Sequence, residues 1–194
     1  MTIPPSSPNE VDSEWEWMQQ VARGEARAGR RLVDAYLGPI TRFAFRMLGS
    51  AAEAEDVAQE AFLRLWRQAP SWEPRAKVGT WLHRVAHNLC IDRLRARREV
   101  QVGEMPEGED PRPSVPTQLE RLHTARAVSD ALQALPERQR AAITLVYYQG
   151  LDNREAAEVM GVHVDALESL LSRARRSMRK HIADSRAVSS ESEP

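Results

Sequence analysis

Residues 151–180 read LDNREAAEVMGVHVDALESLLSRARRSMRK, two short helical patterns that meet at Gly161 and run on into a basic stretch. Ala156, Ala157, Val159 and Met160 give the first pattern an apolar face, and Leu167, Leu171, Ala174 and Met178 recur every three or four residues in the second. Gly161, with no Cβ, permits a tight turn between them. Two helices joined this way form a helix-turn-helix, or else an ordinary helical hairpin with a solvated basic face. The outer face favours the first reading. Glu168, Ser169, Ser172 and Arg173 are suited to base edges in a major groove, while Arg175, Arg176, Arg179 and Lys180 are suited to phosphates.

Outward from this stretch the chain keeps a helical composition. Its 194 residues include 12 prolines and 9 glycines, few β-branched runs and abundant Ala, Leu, Arg and Glu, so the expected fold class is all-α. With 42% hydrophobic and 28% charged residues, neither a fibrous nor a wholly disordered chain fits. No run approaches the roughly 18 apolar residues of a membrane span. The start, MTIPPSSPNEVDSE, lacks the basic and apolar segments of a leader, and a cytoplasmic protein is expected. The single cysteine, Cys90, excludes an internal disulfide and a Cys-only zinc site. A net charge of -1 conceals segregation: Arg84, Arg93, Arg95, Arg97 and Arg98 form one basic patch, Arg173 to Lys180 another, and acid gathers between them at Glu99, Glu104, Glu107, Glu109 and Asp110. Two basic patches on either side of an acidic connector point to nucleic acid gripped at two places.

The connector divides the chain. EVQVGEMPEGEDPRPSVPT, residues 99–117, has four prolines, two glycines and no helical period. The expected organisation is a disordered start (1–13), a helical domain (14–98), a flexible linker (99–118), a second helical domain (119–183) and a disordered tail (184–194). The first domain should hold helices near 13–24, 27–48 with a bend or break at Gly38-Pro39, 52–68, and 79–98. The second should hold helices near 119–134 and 136–149 ahead of the helix-turn-helix, with Gly150 ending the latter.

In the third helix, Val57, Ala58, Ala61, Phe62 and Leu65 fall on one side at 3.6 residues per turn. Asp56, Gln59, Glu60, Leu63 and Arg67 fall on the other, which leaves Leu63 as an apolar side chain on a polar face: either a docking site for a partner or a single exposed leucine of the kind common in proteins that bind nothing. In the fourth, SWEPRAKVGTWLHRVAHNLCIDRLRARR (71–98) interleaves aromatic, amide and cationic groups. Rings stack on unpaired bases, Asn88 and Asp92 read base edges, and Arg93 and Arg95 neutralise phosphate. Trp81, Leu82, Val85, Ala86 and Leu89 also read as a core stripe. His83, His87 and Cys90 share a helix face at a spacing that would suit metal ligands, but the same stripe continues into Leu94, so packing is the expected role and no metal or other cofactor is expected. No phosphate-cradling glycine loop, nucleophile elbow or carboxylate pair is present, and no enzyme is expected.

These blocks, in this order, resemble the extracytoplasmic-function (ECF) sigma factors, two-domain factors of bacterial transcription initiation. AEDVAQEAFLRLWR is similar to the family block that docks on core RNA polymerase, which implies that role for Asp56, Gln59, Glu60 and Leu63. GTWLHRVAHNLCIDRLRARR resembles the block that melts the minus-ten element and captures a flipped base. This implies Trp81, Asn88, Asp92, Arg93 and Arg95, with the loop from Ser71 to Val78, as minus-ten contacts. ALPERQRAAITLVYYQGLDNREAAEVMGV resembles the entry to the minus-thirty-five reader, which implies Glu168, Ser169, Ser172, Arg173, Arg175 and Arg176 as its contacts. Promoter DNA, core polymerase and an anti-sigma protein are the partners the resemblance implies. The chain departs from the family at Glu168 and Leu170, where a basic residue is frequent, so its minus-thirty-five preference does not carry over. A stand-alone repressor or activator would share the helix-turn-helix, but it needs a dimer interface or ligand pocket in the first domain, where the sequence offers a docking face.

Overall fold

The computed structural model describes residues 8–73, 76–101 and 127–190. Among these there is no strand. The N-terminal half holds α1 (Pro8–Ala22), α2 (Ala26–Leu48), α3 (Ala51–Gln68), a 3₁₀ turn (Ala69–Ser71) and α4 (Val78–Gln101). The C-terminal half holds α5 (helical over 127–133), α6 (Glu137–Ile143), α7 (Asn153–Met160) and α8 (Val164–Ser190).

Local chemistry explains most of the boundaries. Gly49 ends α2 in the left-handed conformation (φ 74°), its N–H donating to Phe45 O, and Ser50 Oγ then accepts from Glu53 N to start α3. The start of α4 is capped from a distance: Glu14 of α1 accepts from Val78 N (2.9 Å) and from the Tyr36 hydroxyl of α2. Tyr36 also requires the glycine beside it, since a Cβ at Gly79 would lie 2.8 Å from Tyr36 Cε1.

Five expectations are corrected. First, α1 begins at Pro8, inside the segment read as disordered, because proline lacks the N–H that a first turn leaves unpaired anyway. Second, α2 runs through Gly38-Pro39 without a break, because Leu32, Ile40, Phe43 and Met47 are buried on both sides of the proline and packing outweighs the lost hydrogen bond. Third, α4 continues to Gln101, into the expected linker, whose remaining residues lie outside those described. Fourth, α8 reaches Ser190, into the expected tail, since no Gly or Pro intervenes between Gly161 and Pro194. Fifth, the helix expected over 136–149 begins one residue later, with Pro136 as its cap. It then widens over Thr144–Tyr148 to a turn closed by Gln149 N on Thr144 O (3.0 Å), five residues apart.

Met18, Leu32, Phe43, Met47, Leu65 and Leu82 fill the first half, and Leu145, Val159, Leu167 and Ala174 the second. Burying a side chain of the leucine class contributes about 1.5–3 kcal/mol. The halves pack against each other, α4 along α7, so that both sets belong to one contiguous core.

Candidate functional site

Three surfaces carry the residues singled out above. The first is a groove of about 510 Å³ between α2 and α3, lined in part by Val33, Leu37, Ala58, Gln59, Phe62 and Leu63. The inner stripe of α3 is buried from Ala54 to Leu65, which forces the opposite face to water. Asp56 and Gln59 are exposed, and Leu63 is 41% exposed. Glu60 accepts from Arg64 Nε (2.8 Å), and this hydrogen bond holds its carboxyl below the usual range. Leu37 of α2, also 41% exposed, completes the apolar lip. Sequence reasoning missed Leu37, because a groove between helices becomes visible only once the two are paired.

The second surface is the outer side of α4. Arg84, Asn88, Asp92 and Arg95 are all exposed there. Trp81 is half-buried, its ring edge-on to Trp72 with centroids 5.6 Å apart. Arg93 is engaged differently: its Nη1 donates to Glu53 O (2.6 Å) and its Nη2 lies 3.9 Å from Asp56, bracing the start of α3. His83, His87 and Cys90 are buried. His83 Nδ1 lies 2.8 Å from Gly79 O, and its ring meets Phe43 edge-on. Burial lowers the pKa of both imidazoles and pushes the Cys90 thiol up to about 12. Among the described residues no three His, Cys, Asp or Glu side chains converge as metal ligands.

The third surface is the helix-turn-helix. Asp152 Oδ1 accepts from Arg154 N and Glu155 N (both 2.8 Å), while Glu155 Oε2 accepts from Asp152 N (3.1 Å), a reciprocal cap that fixes where α7 starts. Gly161 turns the chain at φ 62°. Leu167, Leu171 and Ala174 are buried, which leaves Glu168, Ser169, Ser172, Arg173, Arg175 and Arg176 exposed. At about 1.5 Å per residue they span about 12 Å, the width of a major groove. Asn153 Nδ2 donates to Glu168 Oε1 (3.4 Å) and Arg175 Nε to Leu171 O (3.3 Å).

Residues 32–100 match Sigma-70 region 2, and residues 125–178 match Sigma-70, region 4. Over 182 residues the chain is 31% identical to the ECF RNA polymerase sigma factor SigW of Bacillus subtilis (strain 168), covering 86% of this chain and 95% of that protein. The chain belongs to the ECF sigma factors. It is an alternative sigma factor for transcription initiation, and not an enzyme. The ECF RNA polymerase sigma factor SigL of Mycobacterium tuberculosis (strain ATCC 25618 / H37Rv) is 34% identical over 160 residues, 81% of this sigma factor and 90% of SigL. Among solved structures, the sigma factor RpoE in complex with the anti-sigma factor NepR from Bartonella quintana aligns at a TM-score of 0.65, with 25% identity over 79% of this chain and 96% of that one. CnrH in complex with the cytosolic domain of CnrY also aligns at 0.65, with 26% identity over 88% of this chain and 97% of that one. Both halves of the sigma factor match, so the helix-turn-helix does not stand alone as it would in a repressor. No helix among the described residues is long and apolar enough to cross a membrane.

Proposed function

We propose that this sigma factor works in the cytoplasm, docking on core RNA polymerase through the α2–α3 groove with Asp56, Gln59, Glu60 and Leu63 at or beside its rim. The observation that carries the reading is the pair of apolar side chains, Leu37 and Leu63, each held 41% exposed at the mouth of an apolar groove. Asn88, Asp92 and Arg95, beside the loop that leads into α4, take the melted minus-ten strand. Trp81 supports that loop from beneath through Trp72. Arg93 shapes the same region by holding the start of α3. Glu168, Ser169, Ser172 and Arg173 read minus-thirty-five base edges, and Arg175 and Arg176 hold phosphates. RpoE and CnrH were both solved with protein partners, an anti-sigma factor in the case of RpoE, and a comparable inhibitor is the natural counterpart here. The test is run-off transcription from a promoter library with bacterial core polymerase: transcripts that appear only when the chain is added support the reading. Tight, sequence-specific DNA binding without polymerase overturns it in favour of a stand-alone regulator.

A further inference from the structure

Glu168 shares the outer face of α8 with several arginines, yet none of them pairs with it. The neighbours a helical side chain reaches are those three and four residues away, which here are Asp165, Val164, Leu171 and Ser172: a second carboxylate, two apolar groups and a hydroxyl. Its partner comes from the other helix. Asn153, the first residue of α7, donates through Nδ2 to Glu168 Oε1 (3.4 Å), and among the described residues this carboxylate makes no other hydrogen bond or ion pair. The direction of the bond is set by chemistry, because a carboxylate only accepts and the amide must therefore present its NH2.

The anchor is firmer than the group it holds. Asn153 directly follows Asp152, whose carboxylate accepts from Arg154 N and Glu155 N, so the backbone that carries the amide is locked by the reciprocal cap. Gly161 and the bond from Val162 N to Ala157 O (3.0 Å) fix the turn between the helices, and buried Val159 and Leu167 hold their inner faces together. Glu168 is exposed, and its long side chain would otherwise spread over many rotamers. Tying Oε1 to Asn153 leaves Oε2 for a base donor such as cytosine N4, and it removes part of the ordering cost that DNA binding would carry. An arginine in the same place would neutralise the carboxylate. The uncharged amide orients it and keeps the charge that makes it a strong acceptor.

We propose that Asn153 is a positioning residue for minus-thirty-five specificity: it sets the rotamer of Glu168, and through it the base that α8 prefers, without contacting a base itself. The proposal rests on the reading of Glu168 as a base contact. The test is transcription by bacterial core polymerase and the full chain from a library randomised over the minus-thirty-five element, with Glu168→Ala marking the base position that Glu168 reads. Asn153→Ala should flatten the preference at that position about three- to tenfold, the range of a net hydrogen bond, and leave the other positions alone. Its thermal unfolding should match wild type, because the side chain takes no part in the cap. Asn153→Asp turns a second carboxylate onto Glu168 and should flatten the preference at least as much, while Asn153→Gln keeps the donor and should restore most of it. In the Glu168→Ala background, Asn153→Ala should change nothing further. An unchanged preference in Asn153→Ala overturns the proposal while Glu168 keeps its role, and so does a shift as large without Glu168 as with it. A uniform loss over all sequences also overturns it, since that result places the amide on a phosphate. If Glu168→Ala moves no position, the reading of Glu168 falls and takes the proposal with it.

Discussion

Truncating both lips of the α2–α3 groove, Leu37→Ala with Leu63→Ala, should weaken polymerase binding by an amount the structure bounds. Each leucine is already more than half covered, at 41% exposure, so a partner gains only the remaining part. If full burial of a leucine is worth about 1.5–3 kcal/mol, that remainder is about 0.6–1.2 kcal/mol each. The pair then contributes about 1.2–2.4 kcal/mol, a loss of about 8- to 60-fold in Kd, and Leu63→Ala alone about 3- to 8-fold. The covered parts of the same side chains support folding, so thermal unfolding must be followed alongside. The assay is competition of unlabelled variants against fluorescent wild-type protein for core polymerase, at a temperature where circular dichroism shows each variant fully helical. A helical double variant that competes within twofold of wild type would refute the docking assignment.

Glu168→Lys should strengthen duplex binding generally and change the preferred minus-thirty-five bases, since it removes an acceptor for cytosine N4 and adds a phosphate-seeking charge; an identical preference in a transcribed promoter library would show that Glu168 never reaches the bases. Asn88→Ala or Asp92→Ala should reduce permanganate-detected strand opening more than duplex binding, and equal loss in both would assign these residues to structure. Buried His83 and His87 are held neutral, with pKa values below the ordinary 6.5. Their contribution to stability is therefore fully present above pH 6.5 and is lost as pH falls below it toward the lowered values, because the unfolded chain then binds more protons. The urea midpoint should fall between pH 7.5 and pH 5.5, and His83→Gln should flatten the slope; an unchanged slope in that variant would clear His83 of the effect.

What the sequence made legible was whatever repeats along a single helix. The stripe of α3 follows the 3.6-residue period, so its buried side and the outward Leu63 were both readable. The helix-turn-helix was equally readable, because the Gly161 turn and the two apolar stripes lie within thirty consecutive residues. What escaped depends on partners far away in sequence. Arg93 and Arg95 look alike in a string of arginines, yet the first is turned onto the carbonyl of Glu53 and the second faces water. Pro39 signals a break only if local hydrogen bonding outweighs packing, and the burial of Ile40 and Phe43 reverses that balance. Arg140 shows no pattern that marks it as the residue joining the halves, since its acceptor, Met47 O, is a backbone atom.

The cap that α1 places on α4 bears on how fragments of this protein should be cut. The Sigma-70 region 2 match starts at residue 32, but Glu14 lies well before it and accepts from Val78 N, and Met18 beside it is wholly buried. A fragment trimmed to the family boundary would leave the first turn of α4 with an unpaired donor and a methionine-sized hole beneath α2. Expression of the isolated domain should therefore begin no later than Pro8; a piece starting at residue 32 would fray the helix that presents Asn88, and a weak minus-ten signal from it would report the cut and not the protein.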